Sequence, residues 1–291
     1  MTILVTAAGG QLGHLVIDAL LDRGVAPGDI VAGARTTSKV ADLVDRGIRV
    51  VPLDYDAPES VAAALEGVDA LLLISGSEPG RRHEGHVNVI DAAKAAGTAK
   101  VVYTSLAHAD SVDFVLAPDH KATEEYLAAS GVPAVVLRNN WYTENYTPDV
   151  LRAAETGVVA ASVGDATVAA ASRADYAEAA AVVLTEGGHL GRTYELSGDT
   201  AVSYADLATA AAAVLGRDVA YVPVSREQLE AALTEAGLDA GTVGFVAELE
   251  AGIARGVLAD ADPTLARLLG RPTTPVAEGL RAAVAASRVN A

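Results

Sequence analysis

Thr2-Ile3-Leu4-Val5-Thr6-Ala7-Ala8-Gly9-Gly10-Gln11-Leu12-Gly13 is the stretch on which the fold turns. Its first five residues are β-branched or apolar, the pattern of a short buried strand. Small residues follow, and then Leu12, Leu15, Val16, Ala19 and Leu20 mark one face of a helix that Gly24 stops. A strand, a glycine-rich turn and a helix, in that order, let a pyrophosphate approach backbone N–H groups at the helix N-terminus. Gly10 suits that approach, and Gly13 suits close packing of helix on strand. Glycines alone are a weak signal; between a first strand and a first helix they are a much stronger one. The alternative is an ordinary strand-to-helix turn. Ala7 stands where the related pattern has glycine, which costs little at negative φ and strains the turn at positive φ.

The same beat continues outward. Apolar strands are expected at 30–34, 48–52, 70–75, 100–105 and 133–138, with helices near 38–46, 58–66, 82–96 and 118–130 between them. Strands this apolar, separated by helices, imply a parallel sheet covered on both faces, a doubly wound α/β fold. Beyond Trp141 the beat is lost. Residues 158–162 and 167–171 flank Val163-Gly164-Asp165-Ala166 and read as a hairpin. Strands near 193–197 and 219–224 lie among helices at 173–186, 203–215, 225–235, 239–254, 262–270 and 273–287. The expected organisation is a nucleotide-binding domain at 1–155 and a smaller, helix-rich lobe at 156–291, some of whose strands could return to the main sheet. Ligands of such sheets bind at the carboxyl ends of the strands, so functional residues belong in the loops there.

Composition narrows the chemistry. The 291 residues carry a formal charge of −17, which speaks against nucleic acid as a partner. With no cysteine there are no disulfides, thiolate metal sites or cysteine nucleophiles. Half the chain is hydrophobic (51%), yet no apolar run approaches the roughly 20 residues of a membrane span. No basic region precedes the first apolar stretch, so no signal peptide is expected. The expectation is a soluble cytoplasmic protein.

Cofactor preference is written at the end of the second strand. NAD sites usually hold Asp or Glu there for the ribose 2′-hydroxyl. Here Ala32-Gly33-Ala34 precede Arg35, which with Lys39 offers cationic groups to a 2′-phosphate. A solvated surface arginine is the alternative. Asp54 either lies near the adenine or caps the next helix.

Absent residues matter as much. Conventional short-chain dehydrogenases use Tyr-x-x-x-Lys for acid–base catalysis, and none of the nine tyrosines has a lysine four residues on. Ser105 ends the fifth strand without the usual tyrosine partner. His83 and His86, three apart on a helix, lack a nearby third ligand and read as a solvated face rather than a metal site. His108 and His120 are either proton donors to a product or structural. The richest polar-aromatic run is Arg138-Asn139-Asn140-Trp141-Tyr142-Thr143-Glu144-Asn145-Tyr146, which contains the only tryptophan. It either walls a nicotinamide and a flat substrate or packs one lobe on the other.

Ala8-Gly9-Gly10-Gln11-Leu12-Gly13, Leu71-Leu72-Leu73-Ile74-Ser75, Tyr103-Thr104-Ser105 and the asparagine-tryptophan-tyrosine run resemble the NmrA-like atypical short-chain dehydrogenase family. Within it the likeness is to the bacterial type 2 NAD(P)H:quinone oxidoreductases and triphenylmethane reductases. It extends to Ser172-Arg173-Ala174-Asp175-Tyr176, Tyr194-Glu195-Leu196-Ser197-Gly198-Asp199 and Leu269-Gly270-Arg271-Pro272-Thr273-Thr274, nearly end to end. The resemblance implies a Rossmann domain, NADP as cofactor, and hydride transfer to a quinone or dye without a catalytic tyrosine. It places the phosphates on Ala7, Gly9, Gly10, Gln11 and Leu12 and the 2′-phosphate on Arg35. The nicotinamide end falls near Ile74, Ser75, Gly76, Asn139, Asn140, Trp141, Tyr142, Thr143, Glu144 and Arg173. Trp141 and Tyr142 are expected to shape the acceptor slot, with Asn145 or Tyr146 as hydrogen-bond donors. The expected partner is a small quinone-like molecule, with neither nucleic acid nor membrane; a homodimer is left open. Competing readings are a non-catalytic NADP-sensing regulator and a reductase of a dye or enone.

Overall fold

The computed structural model describes residues 1–289. Eleven elements alternate at the start: β1 (Ile3–Val5), α1 (Gln11–Asp22), β2 (Ile30–Ala34), α2 (Ala41–Asp45), β3 (Arg49–Pro52), α3 (Pro58–Ala64), β4 (Ala70–Leu73), α4 (Arg82–Ala96), β5 (Lys100–Leu106), α5 (Ala117–Ser130) and β6 (Ala134–Asn139). After them come α6 (Thr147–Thr156), β7 (Val158–Ala161), β8 (Thr167–Val168), α7 (Arg173–Thr185), β9 (Thr193–Leu196), β10 (Val202–Ser203), α8 (Tyr204–Leu215) and β11 (Ala220–Pro223). Four helices close the described chain: α9 (Arg226–Glu235), α10 (Ala240–Ala254), α11 (Thr264–Leu269) and α12 (Val276–Val289).

The chain forms two compact units. The first comprises Met1–Asp110, Ala117–Asn139 and Arg173–Glu195; the second comprises Ser111–Leu116, Asn140–Ser172 and the chain from Leu196 on. In the first, seven strands form one sheet in the order β3-β2-β1-β4-β5-β6-β9. The strands from β3 to β6 pair parallel, with Leu4 level with Val31 on one side and Leu71 on the other. This is the expected doubly wound sheet. Its strand order reverses at β1, where such folds open a crevice at the carboxyl ends.

Burial on both faces explains why these strands lack alternation. Leu4, Val31, Leu71, Leu73, Val101 and Tyr103 pack with Val61, Leu65, Val89, Ile90, Ala93 and Leu127 from α3 to α5 and their flanks. On the other face α1 packs on α7, and α7 on β4 and β5. Lys100 Nζ donates to the carbonyl oxygens of Val183, Leu184 and Glu186 at 2.9, 3.2 and 2.8 Å, ending α7 on a cation.

The hairpin expected at 158–171 does not form. β7 pairs parallel with β11, and β8 pairs antiparallel with β10. The turn between them is real, closed by Ala166 N–H on the Val163 carbonyl at 3.2 Å. Its two arms simply find different partners. Two short apolar runs around a glycine specify strands and a turn, not which neighbour each strand meets. Among the described residues no helix is long and apolar enough to cross a membrane.

Candidate dinucleotide-binding site

The turn after β1 is tight. Gly10 N–H donates to the Ala7 carbonyl at 2.9 Å, and Ala8 N–H to the Gly33 carbonyl at 2.9 Å. Ala7 has φ +48, so alanine sits in the left-handed region where the related pattern uses glycine. Gly13 brings α1 against this turn: a Cβ there would lie 2.5 Å from the Ala7 oxygen and 2.8 Å from Ala8 Cα. Gly10 is the N-cap of α1 and has no side chain to cap its first N–H groups. Those groups, with the positive end of a 12-residue helix behind them, form a cradle that fits a pyrophosphate. Gly9, Gly10 and Gln11 are exposed, while Leu12 is buried.

Ala32 and Ala34, at the end of β2, are buried, and any side chain at Gly33 would stand 2.8 Å from Leu53 Cδ1. A carboxylate therefore has no room at Gly33. Arg35 is the first exposed side chain after the strand; its Nη1 lies 3.9 Å from Glu78 Oε1. The Lys39 stem runs past Gly9, with Cβ 3.7 Å from where a Gly9 Cβ would stand. Asp54 does not cap α3, whose N-cap is Ala57; it lies in the turn before it, its Oδ1 accepting from Asp56 N–H at 3.2 Å.

The loop after β4 is fixed from beneath by groups that sequence reasoning missed. Ile74 N–H donates to Thr6 Oγ1 at 3.0 Å, and the Tyr55 hydroxyl shares its proton between the Ile74 carbonyl at 2.7 Å and Thr6 Oγ1 at 2.5 Å. Ser75 N–H donates to Thr104 Oγ1 at 3.0 Å, and Gly76 N–H to His86 Nε2 at 3.0 Å. Because an amide can only donate, His86 carries its proton on Nδ1, facing Thr123 Oγ1 at 3.0 Å. The same logic fixes His120: Arg82 Nη1 lies 3.0 Å from Nε2, so Nδ1 holds the proton and faces the Tyr103 hydroxyl at 2.9 Å. Burial, reinforced by the Arg82 charge, lowers both imidazole pKa values to about 3, so both rings are neutral. Burial likewise raises the Tyr103 phenol.

The solvated face expected for His83 and His86 is therefore corrected: His86 is fully buried. A signal was available. His86 shares its stripe with Gly85, Val89, Ile90 and Ala93, at helical spacing. Among the described residues no group of three His, Asp or Glu side chains is arranged to hold a metal.

Ser105 is committed elsewhere. Its Oγ donates to Glu124 at 2.5 Å, and Glu124 accepts from Arg138 Nη2 at 2.6 Å. Arg138 also binds Glu195 at 2.9 Å and Asp110 at 3.0 Å. His108, at φ +53, donates its backbone N–H to Glu195 at 3.1 Å. Asn139 ends β6 buried, and Arg173 opens α7 half-buried.

In the second unit the chain from Asn140 to Tyr146 is pinned by its backbone. Asn140 N–H donates to the Leu196 carbonyl at 2.8 Å, Ala171 N–H to that of Trp141 at 3.1 Å, and Thr143 N–H to that of Ala171 at 2.9 Å. Asn140 and Thr143 are buried, whereas Trp141, Tyr142, Glu144 and Asn145 are half-buried. Trp141 Nε1 is buried without a hydrogen-bond partner among the described residues, an unspent donor. Tyr146 is buried edge-on against Tyr204, ring centroids 5.7 Å apart.

The chain matches the NAD(P)H-binding family model over residues 7–187. It is 44% identical to Quinone oxidoreductase 2 of Escherichia coli (strain K12) over 278 residues, 96% of this chain and 97% of that one. A crystal structure of the Escherichia coli NADPH-dependent quinone oxidoreductase complexed with NADPH superposes with a TM-score of 0.91, covering 96% of this chain and 98% of that one. The Citrobacter sp. triphenylmethane reductase complexed with NADP(H) is 35% identical, with a TM-score of 0.91 over 97% of this chain and 100% of its own. The fold is thus shared with crystal structures that hold NADPH or NADP(H), and the chain belongs to the NAD(P)H-binding family.

Proposed function

We propose that the protein is an NADPH-dependent reductase of quinones or similar flat, electron-poor acceptors. The observation that carries the cofactor half is the cradle at the sheet's reversal point, where Gly13 leaves no room for a side chain and the first turn of α1 is uncapped. Likeness to a quinone oxidoreductase at 44% identity supports the acceptor half.

In this reading the N–H groups of Gly9, Gln11 and Leu12 bind the pyrophosphate, the Gly10 N–H being held by the Ala7 carbonyl, and Arg35, with Lys39, binds the 2′-phosphate. Charge-assisted hydrogen bonds of this kind contribute about 1.5–3 kcal/mol each, which favours NADPH over NADH by roughly ten- to a hundredfold. Within the first unit, Ile74, Ser75, Gly76, Asn139 and Arg173 meet the nicotinamide end. Bound there, NADPH supplies a hydride. The protein's own task is to hold the acceptor about 3–3.5 Å away and to offer donors to the oxygen that becomes negative. Trp141 and Tyr142 shape the slot, and the unspent Trp141 indole N–H joins Asn145 as a candidate donor; Tyr146, buried against Tyr204, does not serve. Tyr103, His86 and His120 position the β4 loop and pass no proton to the acceptor, because their hydrogen bonds are made inside the fold. Water then supplies the proton.

Likeness to a triphenylmethane reductase favours a second acceptor class, a triphenylmethane dye. A screen of NADPH oxidation against small quinones, dyes and enones tests the assignment. Quinone-dependent turnover supports it; turnover confined to dyes or enones moves the protein to that class.

A further inference from the structure

β1 lies between β2 and β4, so the loops after β2 and β4 flank the glycine turn on either side. Paired strands are about 4.8 Å apart, which separates β2 from β4 by roughly 10 Å. Arg35 follows β2 and Glu78 follows β4, yet Arg35 Nη1 and Glu78 Oε1 stand 3.9 Å apart. The two side chains therefore reach toward each other over the turn against which a dinucleotide would lie. Glu78 also lies 3.9 Å from Arg81, so its carboxylate sits between two guanidinium groups. The Arg35 and Glu78 side chains are 64% and 58% exposed, and both have room to reorient.

We propose that Glu78 is a specificity-determining residue that competes with the ribose 2′-phosphate for Arg35 and so sets how strongly the protein prefers NADPH to NADH. The proposal rests on the cofactor reading above. Discrimination falls to Arg35 because Ala32, Gly33 and Ala34 supply no carboxylate at the end of β2, and a side chain at Gly33 would stand 2.8 Å from Leu53 Cδ1. An arriving 2′-phosphate must take the guanidinium from Glu78 and then lie close to a like charge. NADH brings a neutral 2′-hydroxyl, which neither needs Arg35 nor is repelled by Glu78. The pair is exposed and loosely spaced, so its displacement is a few-fold effect.

The test is calorimetric titration of the unmutated protein, Glu78→Gln, Arg35→Ala and the double variant with NADPH and with NADH. Glu78→Gln is expected to tighten NADPH binding about two- to fivefold while NADH changes by less than about 1.5-fold. The gain should shrink as salt rises and be smaller in the Arg35→Ala background, where competition for the guanidinium is gone and only the direct repulsion between Glu78 and the 2′-phosphate remains. Unchanged NADPH affinity in Glu78→Gln, with Arg35→Ala still losing it, overturns the role of Glu78 and leaves the cofactor reading standing. Unchanged NADPH affinity in Arg35→Ala overturns that reading and the proposal together.

Discussion

Replacing Ala7 by glycine should stabilise this protein, against the usual direction of alanine-to-glycine changes. At φ +48 the Ala7 Cβ crowds its own backbone, a strain of about 1–2 kcal/mol that glycine does not feel. Glycine gives back about 0.4–1 kcal/mol through a freer unfolded chain. The net is a gain of about 0.5–1 kcal/mol, or about 1–4 °C in apparent Tm for a chain of this length. Ala7→Val should do the opposite and lose more than about 1 kcal/mol, because a β-branched residue tolerates positive φ poorly. Thermal unfolding of the three proteins by circular dichroism reads both effects. The Gly10-to-Ala7 hydrogen bond is a backbone contact that glycine keeps, so NADPH affinity should stay within about twofold. A lower Tm for Ala7→Gly, or an unchanged one for Ala7→Val, would refute the claim that this turn holds a strained alanine.

Trp141→Ala should lower quinone turnover by a larger factor than its loss of stability explains; a folded variant with unchanged kinetics would return the indole to a packing role. Tyr103→Phe removes the acceptor of the His120 Nδ1 proton and should cost about 1–3 kcal/mol of stability while keeping most activity. Lys121, exposed on α5, should be replaceable by alanine without either loss. A 10³-fold fall in rate for either variant, the upper part of the usual acid–base contribution, would reveal an unconventional dyad. Acid should unfold the protein in a defined window. Folded His86 and His120 titrate near 3 and unfolded histidine near 6.5, so the unfolded state binds the extra protons, and stability falls as pH drops from about 6.5 toward 3. Burial raises Asp149 to about 6, so its contribution runs the other way, lost as pH rises from about 4 to 6. Asp149→Asn should therefore steepen the fall between those values; a flat stability profile from pH 7 to 4 in the unmutated protein would contradict the neutral buried histidines.

The sheet was legible because its strands are apolar on both faces and each is followed by a helical period. β1, its glycine turn and α1 could be placed from local pattern alone, and Gly13 declares a close approach that only a missing side chain permits. The φ of Ala7 was not legible, since alanine itself says nothing of a left-handed backbone. His86 was misread because a histidine pair three apart draws attention to ligands, while the stripe of Gly85, Val89, Ile90 and Ala93 beside it announces burial. Tyr55, Thr6 and Arg82 went unseen for a different reason: they hold Ile74 and Ser75 by contacts that join distant segments of chain. Glu78 belongs with them. Its relation to Arg35 exists only once β1 is known to lie between β2 and β4. The failed hairpin at 158–171 is likewise a pairing error, with strands and turn in place and partners elsewhere.

Whether this chain transfers a hydride from NADPH to a quinone is decided by stoichiometry under anaerobic conditions. Limiting NADPH is mixed with excess small quinone and protein, and NADPH consumed is compared with hydroquinone formed. A two-electron transfer predicts one hydroquinone per NADPH, with NADH consumed more slowly at equal concentration. NADPH that binds and is left unconsumed in the presence of quinones would rule out hydride transfer to them and make the protein a sensor of the dinucleotide instead.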